Sequence, residues 1–228
     1  MGDAGAANSI TTAKLLSERN PLPRDGDVQF LADRHLYLYK GAAARKSVTK
    51  LLAQFFPKFD AQAIIAKNFA AWRKNKQSKY HALIAYLENV QLRSDDFVRD
   101  AIAALWDTNG KLAADAGTRM HADFEAIVNG LPPPQGETAE VRMFRAWLAQ
   151  FCEQFDAEPF RSELIVYFLH QGSILVAGQI DLVLRGRSDN KFYCVDYKRK
   201  DPLADPDKPK LLGHPNDSHF VKYGHGPF

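Results

Sequence analysis

Two apolar runs, Gly178-Gln179-Ile180-Asp181-Leu182-Val183-Leu184 and Phe192-Tyr193-Cys194-Val195-Asp196-Tyr197-Lys198, lie a short turn apart. Each carries an aspartate where a strand core should be apolar. Their composition predicts neighbouring β-strands. Residues two apart on a strand share a face, so Asp196 and Lys198 are expected to project together. A carboxylate on an apolar strand is costly unless it is paired or coordinates a metal. Two such carboxylates from paired strands, with a lysine beside them, predict a Mg²⁺ or Mn²⁺ site next to a cation, which suits phosphodiester hydrolysis.

The plain alternative is an ordinary salt bridge at a strand end. Asp-x-Lys alone is weak, because Asp189-Asn190-Lys191 fits it too, inside the polar run Gly186-Arg187-Ser188-Asp189-Asn190. That composition marks a hairpin loop. Asp196 differs from Asp189 in context: a strand interior preceded by a second strand bearing Ile180-Asp181.

The chain has 228 residues, 46% of them hydrophobic, enough for one substantial core with a helical elaboration. A net charge of +3 permits a nucleic-acid partner without implying one. Arg199 and Lys200, following Lys198, put positive charge beside the expected site. Cys152 and Cys194 supply neither a disulfide framework nor metal-ligand spacing, so an intracellular, reducing compartment is expected. No apolar run approaches the roughly 18 residues of a membrane span, and no membrane partner is expected.

Residues 1–27 lack periodicity and read as a flexible leader. Region 28–110 reads as a hairpin followed by helices. The hairpin pairs Val28–Leu31 with Leu36–Tyr39. Ser47 is a good cap for a helix over 48–56 that Pro57 ends. Helices follow over 61–72, 80–90 and 95–106, in a stretch dense in Lys67, Arg73, Lys74, Lys76 and Lys79. These cations are either a solvated helix surface or a DNA-facing one. Gly117-Thr118 is expected to open a further helix, with Thr118 as its cap. Pro132-Pro133-Pro134 breaks the chain, and a helix is expected over 138–155. A period of two then predicts a meander over 163–169, 174–184 and 192–198. The fold class is α+β, with an antiparallel or mixed sheet flanked by helices over 111–200 and an irregular tail over 201–228.

His121 and Glu125 are four apart on one helix and point to one side. A lone histidine on such a helix is ordinarily a satisfied core residue. If the helix crosses the sheet, His121 becomes a nitrogen ligand beside two carboxylates, which favours Mn²⁺ acceptance. Glu125 is then a ligand or an orienting partner. Glu163 opens the first strand; it either approaches the site or is a solvated strand end.

The ordered set Gly117-Thr118-x-x-His121-x-x-x-Glu125, Glu163, Gly178-x-Ile180-Asp181 and Val195-Asp196-Tyr197-Lys198 resembles the PD-(D/E)XK nuclease superfamily. It is similar to the branch of the RecB nuclease domain and the mitochondrial genome maintenance exonucleases. Upstream, His35-x-Tyr37, Ser47-Val48-Thr49 and Phe59-Asp60 resemble viral and organellar exonucleases of that type. The resemblance implies a restriction-endonuclease-like core of a helix, three antiparallel strands, a second helix and a fourth strand. It implies metal binding by Asp181, Asp196 and His121, with the Tyr197 backbone carbonyl as a further oxygen. Lys198 would orient or polarise the attacking water. Charge, on its DNA-facing reading, nominates Lys67, Arg73, Lys74, Arg199 and Lys200 as contacts to DNA, as single strands or duplex ends.

The sequence departs from that family in two places. Two cysteines exclude the four-cysteine iron–sulfur staple of some relatives. After Lys200 the family continues into a helix and a closing strand, whereas this sequence runs through Asp201-Pro202-Leu203-Ala204-Asp205-Pro206-Asp207. The closing elements are therefore expected to be truncated. The leading expectation is a metal-dependent exodeoxyribonuclease of replication, recombination or repair. The alternatives are a catalytically weak nucleic-acid-binding protein on the same fold, and a structural α+β domain whose aspartates form salt bridges.

Overall fold

A computed structural model describes residues 14–199. The expectations for Lys200 and for the tail over 201–228 lie outside the described residues. The described residues divide into a sheet unit, residues 14–51 with 118–199, and a helical unit, residues 52–117.

The sheet unit is built on two 14-residue strands, β5 (Ala157–His170) and β6 (Ser173–Gly186), paired antiparallel. Gln171 and Gly172 join them, both at positive φ (49° and 76°), as a two-residue hairpin of this twist requires. The other edge of β6 is shared. Near its start, β4 (Lys46–Ser47) pairs parallel with Val176 and Ala177. Near its end, β7 (Phe192–Val195) pairs antiparallel with residues 182–185. Between these partners, Gly178–Asp181 carry no ladder on that edge among the described residues. The sheet is therefore mixed and four-stranded, where the sequence predicted a three-stranded meander.

Helix α6 (Ala139–Gln154) forms as expected and is capped by Thr138, whose Oγ1 accepts from the Val141 N–H at 3.1 Å. It contributes Phe144 to a core containing Phe124, Leu182, Leu184 and Tyr197. Phe144 stacks on Phe124 with centroids 4.1 Å apart. The expected hairpin of β1 (Val28–Leu31) and β2 (Leu36–Tyr39) forms, with β3 (Ala42–Ala43) alongside. It belongs to the sheet unit, because Tyr37 packs with Ile174 and Ala177 of β6.

The leader expectation fails for residues 14–27. Helix α1 (Leu16–Arg19) sends Leu16, 1% exposed, into the sheet core. The Leu16 N–H donates to Asn129 Oδ1 at 2.7 Å, and Asn20 Nδ2 donates to the Phe160 carbonyl at 2.9 Å. Arg161 bonds both carboxylate oxygens of Asp25, at 2.8 and 3.2 Å. One apolar side chain and a few long-range polar contacts anchor a segment whose composition carries no periodicity.

In the helical unit, α3 (Ala61–Lys74) is capped by Asp60 and packs with α4 (His81–Asn89) around Ile65, Phe69, Ile84, Val98 and Ile102. Helix α2 (Val48–Leu52) stops four residues short of expectation. Phe55 and Phe56 are exposed, so no buried face holds its final turn.

Helix α5 (Asp95–Val128) is the larger correction. It runs unbroken through Gly110 and Gly117, so Thr118 lies within it and not at its start. Each glycine weakens the helix by about 1 kcal/mol relative to alanine. The alanine-rich stretch over 112–116 and anchors at both ends (Val98 and Ile102; Met120 and Phe124) outweigh that. Among the described residues, no helix is long and apolar enough to cross a membrane.

Candidate metal centre

Three groups predicted from sequence converge in the sheet unit. One ligand atom from each of His121, Glu163 and Asp181 lies within 4.8 Å of the others. His121 comes from α5, and the carboxylates come from the two long strands. Ser162 pairs with Leu182 and Leu164 with Ile180, so Glu163 sits opposite Asp181 and both side chains share a sheet face. Glu163 therefore sits within β5 and is half-buried; it is not a solvated strand end.

Glu163 also has φ of +46°, a left-handed conformation that costs a non-glycine residue on the order of 1 kcal/mol. Burial pushes its carboxyl up to about 7, with further upward contributions from the charges of Asp181 and Glu125. Burial likewise raises Glu125. Asp181 is raised by burial and by Asp196, against the opposing pull of the Tyr197 N–H, His121 and Lys198.

The imidazole of His121 is hydrogen-bonded at Nε2 and faces a carboxylate at Nδ1. Nε2 lies 3.1 Å from the Tyr197 carbonyl oxygen, which can only accept, so Nε2 carries the proton. Nδ1 faces the carboxylate, 3.7 Å from Asp181 Oδ1. A ring N–H given to a backbone carbonyl while the other nitrogen faces carboxylates is the outer-shell pattern of metal-ligating histidines. The Tyr197 carbonyl accordingly bears on His121.

Asp196 and Lys198 depart from expectation. Strand β7 ends at Val195, because continuation would set Asp196 opposite Asp181. The Asp181 carboxylate instead accepts the Tyr197 N–H at 2.5 Å. Asp196 is outside the three-residue cluster, its side chain 60% exposed, and Lys198 Nζ holds its two oxygens at 2.8 and 2.7 Å. The pair does project to one side as expected, but beyond the strand. The Tyr197 ring points inward against Phe124 and Phe144. Its buried hydroxyl has no hydrogen-bond partner among the described residues, and burial and the site's carboxylates raise its pKa.

Of the proposed DNA contacts, Arg73 is committed elsewhere: it pairs with Glu88 at 2.6 Å and with Asp95. Arg199 pairs with Glu140 at 3.6 Å. Lys67 and Lys74 are exposed and form no ion pair among the described residues. The sequence offered Tyr37 only within the motif His35-x-Tyr37 and gave it no role at the site; its hydroxyl donates to Gln179 Oε1 at 3.1 Å and is raised by burial and by Glu163. Gln179 lies two residues before Asp181 on one strand, so strand periodicity could have found it.

These donors fit a divalent cation. One imidazole nitrogen and two oxygens from clustered carboxyls meet, and the Lys198 ammonium is paired with Asp196. Nitrogen with carboxylate oxygen suits Mn²⁺ and tolerates Mg²⁺. Comparison of the chain with family models, curated proteins and solved structures returns no match.

Proposed function

We propose that this protein is a metal-dependent deoxyribonuclease with a restriction-endonuclease-like core of the PD-(D/E)XK type, acting as an exonuclease on DNA ends or single strands. The convergence of His121, Glu163 and Asp181 on one half-buried spot, beside the Asp196–Lys198 pair, carries this reading.

His121, Glu163 and Asp181 would hold Mg²⁺ or Mn²⁺, and Glu125 is near enough for its charge to raise Glu163. When bound, such an ion polarises a phosphoryl oxygen and lowers the pKa of water. The chain's own groups do the rest. The Tyr197 carbonyl keeps the His121 proton on Nε2, and the Tyr197 N–H aims the Asp181 carboxylate. Lys198, on a flexible stem, supplies positive charge for a phosphate once it leaves Asp196.

A second reading, a nucleic-acid-binding protein without turnover, is favoured by one observation: Asp196 and Lys198 neutralise each other outside the cluster. End-labelled single- and double-stranded DNA, with closed circles as control, separates the two. Loss of linear DNA in Mn²⁺ or Mg²⁺ but not EDTA, abolished in Asp181→Asn, supports the nuclease. Metal-independent cleavage, or full activity in Asp181→Asn, overturns it.

A further inference from the structure

Within the helical unit a cleft of about 430 Å³ is lined by Phe59, Lys79, Tyr80, Leu105, Trp106 and Asn109. That volume falls in the range of small-ligand pockets. Its aromatic wall is preorganised. Trp106 Nε1 donates to Tyr80 Oη at 2.7 Å, which fixes both rings. Trp72 backs them, 4.5 Å from Tyr80. Phe59 leans over Trp106 with centroids 5.8 Å apart, yet its side chain is 71% exposed. An aromatic ring held at a cleft mouth, largely in water, offers its face to a ligand.

Charge says which ligand. From residue 61 to residue 87 the chain has five cations and no carboxylate. Arg73 is spent on Glu88 and Asp95, but Lys67, Lys74, Lys76 and Lys79 form no ion pair among the described residues. Lys79 stands at the cleft itself, its ammonium 5.0 Å from the Tyr80 ring centroid. Aromatic faces flanked by unpaired ammonium groups suit an unstacked base on a phosphate backbone. A duplex, whose bases are already stacked, has no face to offer.

We infer that this cleft seats a base of single-stranded DNA against Phe59 and Trp106, with Lys79 on an adjoining phosphate. The choice of DNA rests on the nuclease reading, whereas the stacking site itself does not. The probe is fluorescein-labelled dT12, titrated by anisotropy in EDTA with the full chain, beside the same sequence as duplex. Cleavage by wild type in Mn²⁺ is followed in parallel.

Phe59→Ala is expected to weaken dT12 binding by about 5- to 150-fold, the range of one lost base–aromatic stack. Lys79→Gln should lower the slope of log K against log salt by about 0.7, one phosphate on a single strand. Both residues are exposed, so the variants keep the core. Equal affinity of wild type and both variants, or duplex bound as tightly as dT12, overturns the cleft while leaving any cleavage untouched. Weakened binding in both variants without wild-type cleavage supports the cleft and refutes the nuclease.

Discussion

The backbone N–H of Tyr197 donates to Oδ2 of Asp181 at 2.5 Å, in place of the next rung of the β6–β7 ladder. One side chain thus ends a strand, turns Asp196 and Lys198 outward and orients a carboxylate towards His121. Because the acceptor is a side-chain oxygen, its chemistry can be varied without touching the backbone.

Asp181→Asn keeps an oxygen acceptor for that N–H, and Asp181→Ala removes it. Chemical denaturation of the metal-free protein should find the alanine variant about 1–2 kcal/mol less stable than the asparagine one, the penalty of an unsatisfied N–H. Equal stability would mean the bond contributes nothing.

Glu163 holds its proton up to about 7 in the folded chain, against an ordinary 4.5. A raised folded value stabilises fully below the ordinary one and is lost as pH rises through the folded one. The melting temperature of the metal-free protein should therefore fall between pH of about 4.5 and 7, and Glu163→Gln should flatten that fall. Mn²⁺ should raise the melting temperature more at the upper end, where its ligands are deprotonated. A Glu163→Gln profile parallel to wild type sinks the assignment.

Gly117 lies inside α5, and an added Cβ meets nothing within 4 Å. Gly117→Ala should stabilise by about 0.5–1 kcal/mol in urea unfolding. A loss of stability would point to a helix start at Thr118.

Arg161 is buried, its side chain 8% exposed, and ties Asp25 and the Asn20 carbonyl to β5. Arg161→Met should cost about 2–3 kcal/mol, since it strands a partly buried carboxylate. Burial works against ionising Asp25, but its bonds from Arg161 and Leu22 prevail and lower its pKa. That stabilisation is present above the ordinary 3.8 and lost as pH falls through the folded value. The variant's acid-unfolding limb should therefore be shallower. Asp25→Asn added to it should recover part of the loss, and a wild-type acid limb would refute the coupling.

The sequence by itself determined the elements whose signal is local. Alternating residues wrote β1, β2, β5 and β6, Thr138 wrote the start of α6, and Gln171-Gly172 wrote its hairpin. It also nominated His121, Glu163 and Asp181, because a titratable group on an apolar element needs a reason to be there. What depends on distant partners was decided only by the tertiary structure. Leu16 is ordered by a core more than a hundred residues away in the chain, and α5 passes two glycines because both its ends are anchored. The opposition of Asp181 and Asp196 stops β7 at Val195, so the pair that stood out most in the sequence lies outside the cluster that the fold assembles. Periodicity reports which face a residue occupies, and only packing reports what that face meets.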